Sequence, residues 1–150
     1  MQSTSHRIFN TILAGDLLVM FYGKLPVLSS IIACGMVLFS SFPDYVERLG
    51  LKHRGMSHSV LIYFGLGAFY FYASMICNPY LDWLSYVGYG FVCGCLSHIL
   101  ADTFSKSGIT ILGFKVKFKL YSTGRISEQA FLVGFILVNC LLMYWLVLTK

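Results

Sequence analysis

The sequence predicts an all-α integral membrane protein: a bundle of four to five transmembrane helices with a small polar insertion before the last helix, for which a β-hairpin is one form. Three observations carry this. Hydrophobic residues make up 57% of the 150 and charged residues 11%, with a mean hydropathy of +0.75, whereas a soluble domain carries about a quarter charged residues. Apolar segments recur at about residues 8–22, 25–42, 58–77, 81–102 and 129–148, close to the roughly 20 residues that a helix needs to cross a bilayer. Residues 103–128 are the one long polar connection. Such a chain lacks the polar side chains to cover a water-facing surface, but a bundle of spans can turn apolar side chains to lipid on every side.

The first segment is the weakest, being short and interrupted by Asp16, and reads as a tilted span, a half-embedded helix or a segment shielded by its neighbours. A carboxylate at that depth is costly; it is either neutralised or paired, or it contributes to the floor of a polar site. Pro26 falls in the first turn of the second segment, where its missing N–H is no loss, and Pro43 marks that segment's end. Ser57 is suited to cap the third helix, and Pro79 makes the turn into the fourth. In the fourth, the spacing of Gly90 and Gly94 allows a neighbouring helix to approach closely.

Within the polar connection, Lys115 to Tyr121 alternate with period two, as a half-buried strand does, and residues 109–114 would supply a hairpin partner. The lysines of that strand would face anionic headgroups or simply solvent. The cysteines Cys34, Cys77, Cys93, Cys95 and Cys140 all lie in apolar stretches, which suits small buried hydrophobes better than a disulfide framework. Cys95, three residues before His98, could share its helix face, which leaves a ligand role open beside the favoured reading as a small hydrophobe.

Net charge is +5, and the basic residues are unevenly distributed. With the N-terminus in the cytoplasm, nine Lys and Arg fall on that side, while only Lys24 and Lys150 fall on the other, a clear positive-inside asymmetry. No basic recognition helix or nucleic-acid module accompanies them, so no nucleic-acid partner is expected.

On that topology the metal-binding side chains collect at one face. His6 precedes the first segment, Asp44 and Glu47 follow the second, His53 and His58 precede the third, His98 and Asp102 close the fourth, and Glu128 opens the fifth. A lone histidine at a membrane boundary is ordinary; all four histidines at one face are not. His98 and Asp102, four apart, project from one helix stripe and can reach one ion. Gly55 leaves the chain free to turn between His53 and His58. Glu47 and Glu128 are ambiguous, since an acid near a helix start is common.

These residues carry a resemblance. Phe42-Pro43-Asp44, His53-Arg54-Gly55-Met56-Ser57-His58-Ser59 and Leu96-Ser97-His98-Ile99-Leu100-Ala101-Asp102, with His6 before them and Glu128 after, resemble the YdjM-type family of bacterial inner-membrane proteins, described as membrane-bound metal-dependent hydrolases. The resemblance covers most of the chain. Where the family pattern carries a second aspartate two residues after Asp44, this chain has Val46, with Glu47 displaced by one. The spacing of His98 and Asp102 is also similar to that of zinc-dependent phospholipases C and related single-strand nucleases.

Residues and resemblance together imply a single domain over 1–150, multi-pass in a bacterial inner membrane, with its metal site facing the cytoplasm. One or more divalent ions, zinc first, would be held by His53, His58, His98 and Asp102, with His6 and Asp44 next. Asp44, Arg54 and Glu128 are the candidate catalytic residues, Arg54 because its guanidinium fork matches a phosphoryl group. The expected partner is membrane lipid, and the expected substrate a lipid phosphoester. The rival expectation is a metal-binding membrane protein without catalysis: a sensor, a carrier or a subunit of a membrane complex.

Overall fold

In the computed structural model, which describes residues 3–21, 26–48, 58–76, 82–106, 108–111 and 114–148, the apolar segments are helices. They are α1 (Ser3–Phe21), α2 (Pro26–Phe39), the short α3 (Phe42–Arg48), α4 (Val60–Ile76), α5 (Asp82–Thr103) and α6 (Ile126–Leu148). The first expected segment extends toward the N-terminus, so that His6 is part of its helix and does not precede it. Pro43 does mark the end of the second segment, but it then starts a helix of its own: after a turn at Ser40 and Ser41 it sits buried in the first turn of α3, a position that suits a residue without an N–H. The capping role expected of Ser57 lies outside the described residues; α4 starts at Val60, and the Ile62 N–H is bonded to the Ser59 carbonyl at 3.1 Å.

The central helix is α5, which packs against α1, α2, α3 and α4, while α6 lies against α1. Its closest neighbour is α2, for the reason the glycine spacing suggests. A Cβ added at Gly35 would lie 2.7 Å from the Gly90 Cα, and one at Gly94 would lie 2.8 Å from the Met36 carbonyl oxygen. Only hydrogen atoms fit between these backbones, so α2 and α5 meet along main chain.

Apolar side chains also cover much of the outside. On α4, Phe64, Phe69, Tyr72 and Met75 are exposed, and on α6, Val133, Leu137, Leu141 and Trp145. Surfaces of this extent are incompatible with water and suit hydrocarbon. Among the described residues, Val27–Arg48 and Ile126–Trp145 are long and apolar enough to cross a membrane, and α4 is apolar but shorter.

The polar connection forms a smaller hairpin than its alternation suggests. Strands β1 (Ile109–Ile111) and β2 (Phe114–Val116) pair antiparallel, Ile109 opposite Val116. Beyond Val116 the chain leaves the hairpin and runs along the end of α5: the Phe118 N–H donates to the Thr103 carbonyl, the Leu120 N–H to Phe104, and the Lys106 N–H to Tyr121. Lys119 turns left-handed at φ 57°, which breaks the period of two. Tyr121 is buried, and its hydroxyl donates to the Ala101 carbonyl at 2.7 Å. This brace holds the end of α5 that carries Asp102.

The cysteines divide. Cys95 is buried among Tyr63, Val92 and Ile99, as expected of a small hydrophobe, but Cys34 and Cys140 are exposed. They lie on the apolar exterior, where a thiol needs no burial from water if lipid surrounds it. Cys77 lies outside the described residues.

Candidate metal centre

An up-and-down bundle brings alternate helix ends together, and here the start of α1, the end of α2 with α3, the start of α4 and the end of α5 converge. They carry His6, Asp44, His58, His98 and Asp102. Four of these are buried, and Asp44 alone is partly open, at 26% exposure. Two overlapping groups have donor atoms within 4.8 Å of one another: His6, His98 and Asp102, and Asp44, His58 and His98.

The outer nitrogen of two rings is occupied first. Nδ1 of His98 lies 2.6 Å from the Ser40 carbonyl oxygen; a carbonyl only accepts, so Nδ1 carries the proton and donates. Nδ1 of His58 lies 2.9 Å from Glu47 Oε1 and donates to that carboxylate. Each of these bonds leaves Nε2 as the lone-pair nitrogen, turned inward, the arrangement by which a neighbouring acceptor orients a metal-binding imidazole. Glu47, displaced by one from the family's pattern, thus stands one helical turn from Asp44 and holds His58 instead of facing the centre.

The inward nitrogens face carboxylates at unusual distances. His98 Nε2 is 3.3 Å from Asp44 Oδ1 and 3.9 Å from Asp102 Oδ2; His58 Nε2 is 3.4 Å from Asp102 Oδ2 and 3.7 Å from Asp44 Oδ1. A protonated imidazole would draw a carboxylate to about 2.7–2.9 Å, and an unprotonated one would turn its lone pair against anionic oxygen. Four donors around a tetrahedral zinc, each about 2.0–2.1 Å from it, stand about 3.4 Å apart. The observed separations lie near that edge length, and the two overlapping groups could hold a divalent ion.

His6 stacks on His98, ring centroids 3.6 Å apart and 19° from parallel, and its Nε2 lies 3.4 Å from Asp102 Oδ1. It stands ahead of the apolar run of α1. Burial pushes its pKa down to about 4, against the pull of Asp102 and with a further push from His98, so at neutral pH it is an uncharged donor. Among the described residues, both its ring nitrogens and Nε2 of His98 are buried without a hydrogen-bond partner.

The remaining expected residues are placed differently. His53 and Arg54 lie outside the described residues. Glu128 is buried, but its carboxylate accepts from the Gly124 N–H, the ordinary work of an acid in the first turn of a helix, and it belongs to neither donor group. Asp16 stands ten residues beyond His6, roughly 15 Å along α1; it is not the floor of the site. Sequence reasoning overlooked Asn10, one turn beyond His6 on α1 and fully buried, and the Ser40 carbonyl. A backbone acceptor leaves no mark in a sequence.

No curated protein and no solved structure matches the chain. The family model described as YdjM inner membrane protein matches residues 6–149, a span that takes in every described member of the histidine and aspartate cluster. The chain belongs to the YdjM inner membrane protein family.

Proposed function

We propose that the protein is a metal-dependent hydrolase of the cytoplasmic leaflet, acting on an amphiphilic phosphoester. One observation carries the metal: the Nε2 atoms of His58 and His98 face the oxygens of Asp44 and Asp102 at 3.3–3.9 Å, longer than charge-assisted hydrogen bonds and near the edge of a zinc tetrahedron. A bound divalent ion supplies Lewis acidity, lowering the pKa of water toward neutrality and polarising a phosphoryl oxygen. The chain's own residues set the rest. Asp44 is the partly exposed member and marks the side from which water and a headgroup arrive. Arg54 supplies the planar fork for phosphoryl oxygens.

The membrane setting supports the substrate class. We read the apolar run of α1 from about residue 8 onward, α2, α4, α5 and α6 as the spans, with the start of α1 in the cytoplasm, because nine of the eleven Lys and Arg then fall on that side. A groove of about 470 Å³ between α1 and α2, lined by Thr11, Ala14, Leu18, Ala33, Val37 and Leu38, is almost wholly apolar and begins five residues after His6. An acyl chain lying there would bring its headgroup to the metal end.

The second reading is a metal site without turnover. Protein donors that fill every coordination place would close the ion, as in structural zinc sites. Headgroup release from a panel of lipid phosphoesters, with chelation and metal add-back, separates the two. Release that is lost on chelation, restored by zinc and absent in His98→Ala supports hydrolysis. A metal-loaded protein silent across the panel supports the closed site.

A further inference from the structure

Asp102 has two carboxylate oxygens, and the two face different donors. Oδ2 lies 3.4 Å from His58 Nε2 and 3.9 Å from His98 Nε2, while Oδ1 lies 3.4 Å from His6 Nε2. His6 is therefore not a fifth member of the tetrahedron around Oδ2 but the start of a second set on the far oxygen. The stacking of His6 on His98 at 3.6 Å offsets the two imidazoles by nearly the separation of the ions in two-metal sites, about 3.5–4 Å.

A third donor is at hand. Asn10 is fully buried, and neither its Oδ1 nor its Nδ2 has a hydrogen-bond partner among the described residues. A buried amide left so is costly, and a cation would satisfy its oxygen. It stands four residues after His6, on the same stripe of α1, where a carbonyl oxygen is an acceptable ligand for a hard or borderline cation.

We infer that His6, Asn10 and Oδ1 of Asp102 form a second divalent-cation position, bridged by Asp102 to the position held by Asp44, His58 and His98. The inference rests on the metal reading of that first position. With three protein donors, the second position keeps a coordination place open.

The test is metal stoichiometry on full-length protein purified in detergent without chelator, together with paramagnetic resonance after exchange into manganese(II). The wild type should hold about two equivalents per chain and give the signal of a spin-coupled pair. Asn10→Ala and His6→Gln should each fall to about one equivalent, with the resonance of an isolated ion. Asn10→Asp, which keeps an oxygen donor, should retain the pair. The wild-type measurement needs no variant to fold. One equivalent and an isolated-ion signal in the wild type would overturn the second position and leave the first standing, whereas background metal throughout would overturn both. Two coupled equivalents in Asn10→Ala would remove Asn10 from the site.

Discussion

Across the junction of α5 and α2, His98 donates from Nδ1 to the main-chain carbonyl of Ser40 at 2.6 Å. The bond ties the orientation of a ligand to the place where α2 stops. Its counterpart on His58 is a side chain, Glu47, and can be replaced. Glu47→Gln keeps an acceptor for Nδ1–H but loses the negative charge, and should weaken metal affinity about 10- to 100-fold. His58→Ala should reduce bound metal far more. Competition with a chelator of known affinity measures both.

The approach of Gly35 to Gly90 sets the distance between α2, which leads into Asp44, and α5, which carries His98 and Asp102. Gly35→Ala puts a Cβ 2.7 Å from the Gly90 Cα, and backbone cannot swing aside as a side-chain tip can. It should cost about 1–3 kcal/mol and lower metal retention with it. Gly134→Ala, with nothing within 4 Å of the added Cβ, should be neutral or slightly stabilising. Thermal unfolding in detergent, read by helical circular dichroism, distinguishes the two.

How much of the fold and the site is legible in the sequence depends on what kind of atom is involved. Helix positions follow from hydropathy, and the pairing of His98 with Asp102 follows from helical spacing. Convergence of His6, Asp44 and His58 on that pair follows from the up-and-down order. The separate helix in Phe42–Arg48 is hidden because Pro43 both ends one helix and starts another. The strand expected over residues 115–121 fails after Val116 because its backbone finds partners at Thr103 and Phe104, a long-range choice that alternation does not encode. Glu47 and Asn10 escape for a different reason: an acid near a helix end and an amide in an apolar run are common, and only their neighbours in space give them a role.

Acid should destabilise the metal-free protein through His6. Its folded pKa, about 4, lies below the ordinary 6.5. Between those values the unfolded chain binds the proton and the folded chain does not, so stability rises with pH across the window and is lost as pH falls. The contribution is on the order of 3 kcal/mol, complete above the ordinary value. In chelated protein, unfolding temperature should therefore drop from pH 7 toward pH 4, and His6→Gln should flatten the drop.

Topology is testable at the turn before α6. Thr123 is exposed and lies at the bundle end that carries the site. In a cysteine-free background, Thr123→Cys should resist an impermeant thiol reagent in intact cells and react once the membrane is opened. Labelling in intact cells would put this end of the bundle outside.

The metal reading itself is tested most directly by X-ray absorption at the zinc edge on protein purified without chelator. The donor set predicts a first shell of nitrogen and oxygen at about 2.0–2.1 Å, with imidazole scattering that weakens in His98→Ala. A shell of sulfur at about 2.3 Å, or zinc no higher than in His98→Ala that retains its helical spectrum, would contradict it.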